Sequence, residues 1–372
     1  MHDLIVFGED FGGLPSSTQH LVKRLASQRK IVWVNSIGLR QPKLNSGDIK
    51  RAFNKLLGKQ KSGFGRTGTT NANHNMTIVD LKTIPAPDSA FARQVAKELM
   101  LRQLLPVIRK AQLRQPILWC SLPTAADLCG HLGESAVVYY CGDDFEALAG
   151  VDHHIVAKHE ANLVEKADLI FGASEEICRK FPAAKTQLLP HGVDTELFSS
   201  PALRAHDLPN NGRPTAGFYG SLSEWLDYEM LHAVVEQNPE WNFVFIGPQE
   251  LSKSQLPTAT NVHYLGPKPH HELPGYSQHW DVSLLPFKSN RQIEACSPLK
   301  LMEYLAAETP IVSTQFPALA PFKRYVHVVD GAEEMTAALK HARYQPRLPK
   351  GIVTQHSWDS RSEFVNWMLE LL

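Results

Sequence analysis

The chain has 372 residues, 43% hydrophobic and 20% charged, with 38 basic against 38 acidic side chains. That is the profile of a globular protein long enough for two domains, and it excludes a disordered or fibrous chain. No run approaches the roughly 20 apolar residues that span a bilayer, the amino terminus lacks a basic stretch with a cleavage site, and five cysteines without a C-x-x-C pair argue for reduced thiols in a cytoplasm.

From the amino terminus, short apolar or β-branched runs predict strands at 4–7, 31–35, 76–81, 117–120, 136–140, 169–173 and 187–189. Helical periodicity lies between several of them, at 18–28, 90–112, 125–132 and 156–166. A second series predicts strands at 215–219, 241–246, 262–265, 282–286, 311–313 and 326–329, with helices at 228–237, 298–307 and 333–342. Two runs of alternating strand and helix predict two parallel sheets, each covered by helices on both faces. The turn-rich, polar stretch from Ser199 to Gly212 marks the break. The tail from Trp358 to Leu372 is amphipathic, with Phe364, Trp367, Met368 and Leu371 spaced to share a face.

Charge is unevenly placed. Residues 1–114 carry 19 Lys and Arg against 7 Asp and Glu, and the remainder carries 19 against 31. Between Arg40 and Arg66 eight basic residues accompany one acid, Asp48, and Ile49, Phe53, Leu56 and Leu57 fall at helical spacing opposite the lysines. A basic amphipathic helix fits an anionic membrane surface. Few aromatic residues and no helix-turn-helix or RNA-binding motif argue against nucleic acid as the partner.

The stretch 297–314 carries the most chemistry. Pro298 suits the first helical position and Ser297 the N-cap. Leu299, Met302, Leu305 and Ala306 then recur at helical spacing until Thr309-Pro310. A helix start presents unpaired N–H groups and a positive dipole end to an anion. Lys300 in the first turn has the sign for a phosphate, and Glu303 one turn on suits ribose hydroxyls. Together they point to a nucleoside diphosphate.

Further signals lie on both sides. Gly12 and Gly13 form a glycine-rich turn between the first strand and helix. His191-Gly192-Val193-Asp194 ends the first series, and Gly217-Phe218-Tyr219-Gly220-Ser221 opens the second. Gly266-Pro267-Lys268 follows a strand, as does Asp143-Asp144 after Tyr139-Tyr140-Cys141.

In their order and spacing these segments resemble retaining GT-B glycosyltransferases of family 4, the type that includes bacterial polysaccharide and teichuronic-acid sugar transferases. The family's donor motif is Glu-x7-Glu ahead of Gly-x-Pro-Val-Val. Glu303 matches the second glutamate, whereas Ala295 occupies the place of the first, Glu294 is one position off, and Glu308 stands where glycine is usual. His191 replaces the usual asparagine of Pro-Asn-Gly-Val-Asp, and no basic residue occurs between Arg213 and Lys253, where many members supply Arg and Lys to the pyrophosphate.

The resemblance implies an α/β, GT-B fold of two doubly wound Rossmann-like domains facing a cleft. Residues 1–195 would form the acceptor side, 196–355 the nucleotide-sugar domain, and 356–372 a helix packing back on the first. It implies a metal-independent, retaining glycosyltransferase that needs no cofactor and takes a UDP- or GDP-type sugar to a glycan or lipid-linked acceptor in cell-surface polysaccharide synthesis. Such an enzyme would be cytoplasmic, and residues 40–66 would hold it peripherally at the membrane. The donor would meet Gly220, Ser221, Gly266, Pro267, Lys268, Ser297, Pro298, Leu299, Lys300 and Glu303, with Asp143, Lys300 and Glu303 at the chemistry and Gly12, Gly13 and His191 toward the acceptor. A sugar-nucleotide epimerase and a non-catalytic nucleotide- or membrane-binding scaffold of the same fold are the alternatives.

Overall fold

Short apolar strands build two wholly parallel sheets among the residues that the computed structural model describes, which are 1–13, 16–37, 75–84, 87, 89–145 and 153–372. The basic segment 40–66, Leu14, Pro15 and Glu146-Ala147-Leu148 lie outside them. The first sheet contains β1 (Leu4–Phe7), β2 (Ile31–Val34), β3 (Met76–Val79), β4 (Ile117–Cys120), β5 (Ala136–Cys141), β6 (Leu169–Gly172) and β7 (Thr186–Leu188), in the order β3-β2-β1-β4-β5-β6-β7. The second contains β8 (Thr215–Tyr219), β9 (Asn242–Ile246), β10 (Val262–Tyr264), β11 (Val282–Leu285), β12 (Ile311–Thr314) and β13 (Val326–Val329), in the order β10-β9-β8-β11-β12-β13. β1, β2, β4, β5 and β6 are buried along their whole length, as parallel strands covered on both faces must be.

The chain divides into two units, Met1–Pro190 with Arg361–Leu372, and His191–Ser360. In each sheet the strand order reverses once, between β1 and β4 and between β8 and β11. Ligands of doubly wound sheets bind outside the carboxyl ends of the strands at that switch point.

Three local expectations need correction. The segment expected as a helix over 125–132 is a 3₁₀ turn, Pro123–Leu128. Gly130 and Gly133 follow it with positive φ and stop any continuation. In the carboxyl-terminal helix, Trp358–Glu370, the buried face is Trp358, Val365 and Leu369, while Trp367 is 58% and Leu371 63% exposed. Ser297 does not cap the helix Leu299–Ala306; Pro298, extended at ψ 119°, takes the cap position one residue later.

The last twelve residues are tied to the first unit by Arg29, whose side chain is fully buried. Its guanidinium donates to the Asn366 Oδ1 at 2.6 Å, to the Glu370 Oε1 at 2.6 Å and to the carbonyl of His2.

Candidate functional site

β8 and β9 end side by side on glycines, and the reason is steric. Gly220, at φ 138°, donates its N–H to the Ile246 carbonyl at 2.8 Å. A Cβ at Gly247 would lie 2.0 Å from the Gly220 carbonyl oxygen. A Cβ at Gly220 would lie 1.9 Å from Cε and 2.8 Å from Nζ of Lys300. The bare backbone therefore lets the lysine stem cross the end of β8, with its ammonium 5.9 Å from the centre of the Phe218 ring.

Lys300 and Glu303 stand three residues apart on the helix Leu299–Ala306 and share a face. Pro298 at the N-cap has no side-chain acceptor to offer this helix, and the first turn presents the positive dipole end. Its far end closes as a Schellman motif. The N–H of Glu308 donates to Leu305 O at 3.2 Å and that of Thr309 to Tyr304 O at 3.3 Å, with Glu308 at φ 61°. A left-handed position is why glycine is the expected residue there.

Glu303 is only 3% exposed. Its Oε1 lies 2.7 Å from Nε2 of His270, which sits on the 3₁₀ turn His270–Glu272 after β10. Burial alone would lower the His270 imidazole, but the bond to Glu303 and the charges of Glu303 and Asp194 outweigh it and hold it above its ordinary value. The phenol of Tyr219 is pushed well up by burial and by the charge of the Glu303 carboxylate. Tyr219, Trp280 and Tyr304 pack into one aromatic wall, and the Tyr219 N–H donates to the Tyr304 hydroxyl at 3.1 Å.

The other expected donor residues are placed less uniformly. Gly266, at φ 70°, accepts from the Gly247 N–H at 3.0 Å, so the turn before Pro267 reaches the same strand ends. The Lys268 ammonium lies 2.6 Å from Asp207 Oδ2, and the Tyr276 hydroxyl donates to the other oxygen at 2.7 Å. Burial would raise the Asp207 carboxyl, but those two bonds hold it below its usual range. Glu294, the acid nearest the missing first glutamate, is exposed, and Ala295 is buried. Among the described residues no cluster of three or more His, Cys, Asp or Glu is arranged for a metal.

In the first unit, Gly12 at φ 79° and Gly13 form a braced turn after β1. The Gly13 N–H donates to Asp10 O at 3.0 Å, and the Gly12 N–H to Gln19 Oε1 at 3.0 Å. Past β5, Asp143 is exposed, whereas Asp144 is buried with its Oδ1 2.5 Å from the Lys180 ammonium. His191 is half-buried at the start of the second unit; the next residue, Gly192, packs so close to Trp358 that a Cβ would lie 2.7 Å from its ring. His270, Tyr219 and Asp207 were not singled out from sequence. Nothing in Pro269-His270-His271-Glu272 distinguishes the histidine that meets Glu303 from its neighbour.

Residues 213–342 match the protein family described as Glycosyl transferases group 1. Over 335 residues the chain is 26% identical to the Bacillus subtilis protein named "Putative teichuronic acid biosynthesis glycosyltransferase TuaH", covering 82% of this chain and 79% of that one. Among solved structures it is similar to the trehalose-6-phosphate protein of E. coli bound with UDP-2-fluoro glucose, at TM-score 0.66 and 14% identity over 100% of this chain and 99% of that one. The sucrose-phosphate synthase of Thermosynechococcus elongatus gives TM-score 0.66 and 13% identity over 100% and 99%. HepE of Anabaena, in complex with UDP and glucose, gives 0.63 and 11% over the whole of both chains. At such identities the likeness establishes the fold, which is GT-B.

Proposed function

We propose that this glycosyltransferase, whose residues 213–342 form a group 1 domain, binds a UDP- or GDP-type sugar on its second unit and passes the sugar to a glycan or lipid-linked acceptor during polysaccharide synthesis. One arrangement carries the reading. The helix start at Pro298, Lys300 across Gly220 and buried Glu303 lie together at the carboxyl end of β8, beside the switch point where such sheets take ligands. The diphosphate would rest on the amides of the helix start, on Gly220-Ser221 and on Lys300, with the ribose on Glu303 and the base near Gly266-Pro267-Lys268.

The leaving group of the transfer is a diphosphate. Positive potential already fixed in place lowers the cost of the charge that develops on it. Lys300 and the helix dipole supply that potential from the chain itself, which is the basis for proposing metal-independent transfer. Retention of configuration rests on the family resemblance. On the first unit, Gly12, Gly13 and Asp143 would face the acceptor; His191, assigned with them from the resemblance, opens the second unit. Peripheral attachment to an anionic membrane rests on the charge of residues 40–66 and on apolar residues at helical spacing there. No helix of the described residues is long and apolar enough to cross a membrane.

The test begins with melting temperature against UDP, GDP and ADP, because a ligand of the folded form must raise it. The corresponding nucleotide sugars follow, with a panel of glycan acceptors and with and without EDTA. Free nucleotide together with a glycosylated acceptor supports the reading. An epimerised donor, or binding without turnover on any acceptor, contradicts it.

A further inference from the structure

We propose that His270 is a positioning residue for donor binding: by holding one oxygen of the Glu303 carboxylate it aims the other at the ribose. The inference rests on the reading that Glu303 receives the ribose, and it assigns a role to a residue outside the donor motif.

The geometry is specific. A glutamate carboxylate turns about a broad terminal torsion, so an unsupported one samples a wide fan of directions. In this site that freedom is removed. The Nε2–Oε1 separation of 2.7 Å is that of a charge-assisted hydrogen bond. The imidazole itself is wedged: the ring of Phe198, itself fully buried, meets it edge-on with centroids 5.3 Å apart. Phe198 lies on the helix Thr195–Ser199, which Asp194 caps by accepting from the Leu197 N–H at 3.1 Å. A chain of fixed groups thus runs from Asp194 through Phe198 and His270 to Glu303. A binding group must be held within about 0.5 Å of its productive position for its hydrogen bonds to count in full. Oε1 is taken by His270, which leaves Oε2 outside that bond, and the fixed plane of the carboxylate sets where a hydroxyl must sit to reach it.

The test is a set of variants titrated calorimetrically with UDP and GDP and with the 2′-deoxy and 3′-deoxy forms of each. His270→Phe keeps a ring against Phe198 and removes the donor, His270→Gln keeps a donor, and Glu303→Ala removes the carboxylate. Loss of a hydrogen bond to a charged group corresponds to roughly a 10- to 100-fold loss of affinity, and this is expected for Glu303→Ala with whichever nucleotide binds. His270→Phe is expected to weaken the same nucleotide about fivefold to tenfold and to erase most discrimination against the deoxy forms. His270→Gln should recover both, and the His270→Phe/Glu303→Ala double variant should bind no more weakly than Glu303→Ala alone.

Intact affinity and discrimination in a folded His270→Phe protein, with Glu303→Ala still weakened, overturn the role of His270 and leave Glu303 in place. Unchanged affinity in Glu303→Ala removes the reading beneath it as well. If the histidine variants do not fold, imidazole nitrogen NMR of the unaltered protein decides. A His270 signal that responds to the nucleotide but not to its 2′,3′-dideoxy form supports the proposal, and one that responds equally to both, or to neither, overturns it.

Discussion

Gly220→Ala is the substitution that most sharply separates the proposed role of Lys300 from mere proximity. The added methyl would lie 1.9 Å from Lys300 Cε, far inside van der Waals contact, so the lysine stem must swing off the end of β8. The backbone at φ 138° is a region nearly reserved for glycine, and an alanine there costs about 1–3 kcal/mol of stability. For a unit of this size that is roughly 2–4 °C of melting temperature per kcal/mol. The second effect is on binding. A displaced ammonium forfeits a charge-assisted contact with phosphate, about 1.5–3 kcal/mol, or tenfold to a hundredfold in affinity for the nucleoside diphosphate. The bare nucleoside should lose little. Calorimetric titration of Gly220→Ala, Lys300→Ala and the double variant measures both, and the double variant should be no weaker than the more damaging single change. Wild-type diphosphate affinity in a folded Gly220→Ala protein would refute the placement of Lys300 on the leaving group.

Three further outcomes follow from the structure. Arg29→Met should lower the stability of the first unit by about 1–3 kcal/mol in urea titration, since the His2 carbonyl and the Asn366 side chain, both half-buried, lose their donor while the exposed Glu370 carboxylate returns to water; an effect within experimental error would contradict the anchoring of the last helix. Glu308→Gly should be neutral or stabilising by up to about 1 kcal/mol, because relief of a left-handed backbone at φ 61° outweighs the flexibility that glycine adds to the unfolded chain. A clear loss in thermal melting would instead assign the Glu308 side chain a structural contact. The His270 imidazole is held above its unfolded value near 6.5, so the stability it contributes is complete below that pH and is lost as pH rises through the folded value. Urea midpoints of the unaltered protein should therefore fall relative to those of His270→Gln as pH climbs from about 6.5 toward 8; parallel profiles would exclude proton-linked pairing with Glu303.

The strands were legible because parallel strands buried on both faces read as uninterrupted apolar runs. Leu4–Phe7 and Ile117–Cys120 stand where that pattern puts them. The parallel character of the two sheets followed from alternation with helices, and the GT-B expectation from the family resemblance; the order of strands within each sheet came only with the structure. Helix ends were harder. Pro298 can sit at the first helical residue or just before it, and only its ψ of 119° decides. Over 125–132 the apolar spacing admits a helix as well as a 3₁₀ turn, and glycines at positive φ tip the balance.

Within the candidate site, the placement of Lys300 and Glu303 on one helix was legible because three residues on a helix is a fixed geometry, whereas their neighbours come from distant parts of the chain. Gly220 meets Lys300 across 80 residues of chain, and His270 meets Glu303 across 33. Such pairings depend on sheet register and loop path, which no local pattern encodes. Glu308, conspicuous in sequence for replacing glycine, turned out to adopt the glycine conformation rather than to alter the turn.

A crystal structure with bound UDP or GDP weighs the whole account most directly. The diphosphate should lie within hydrogen-bonding distance of Lys300 Nζ and the first amides of the helix Leu299–Ala306, and a ribose hydroxyl within reach of Glu303. A nucleotide seated elsewhere, with that helix start facing solvent, would contradict it.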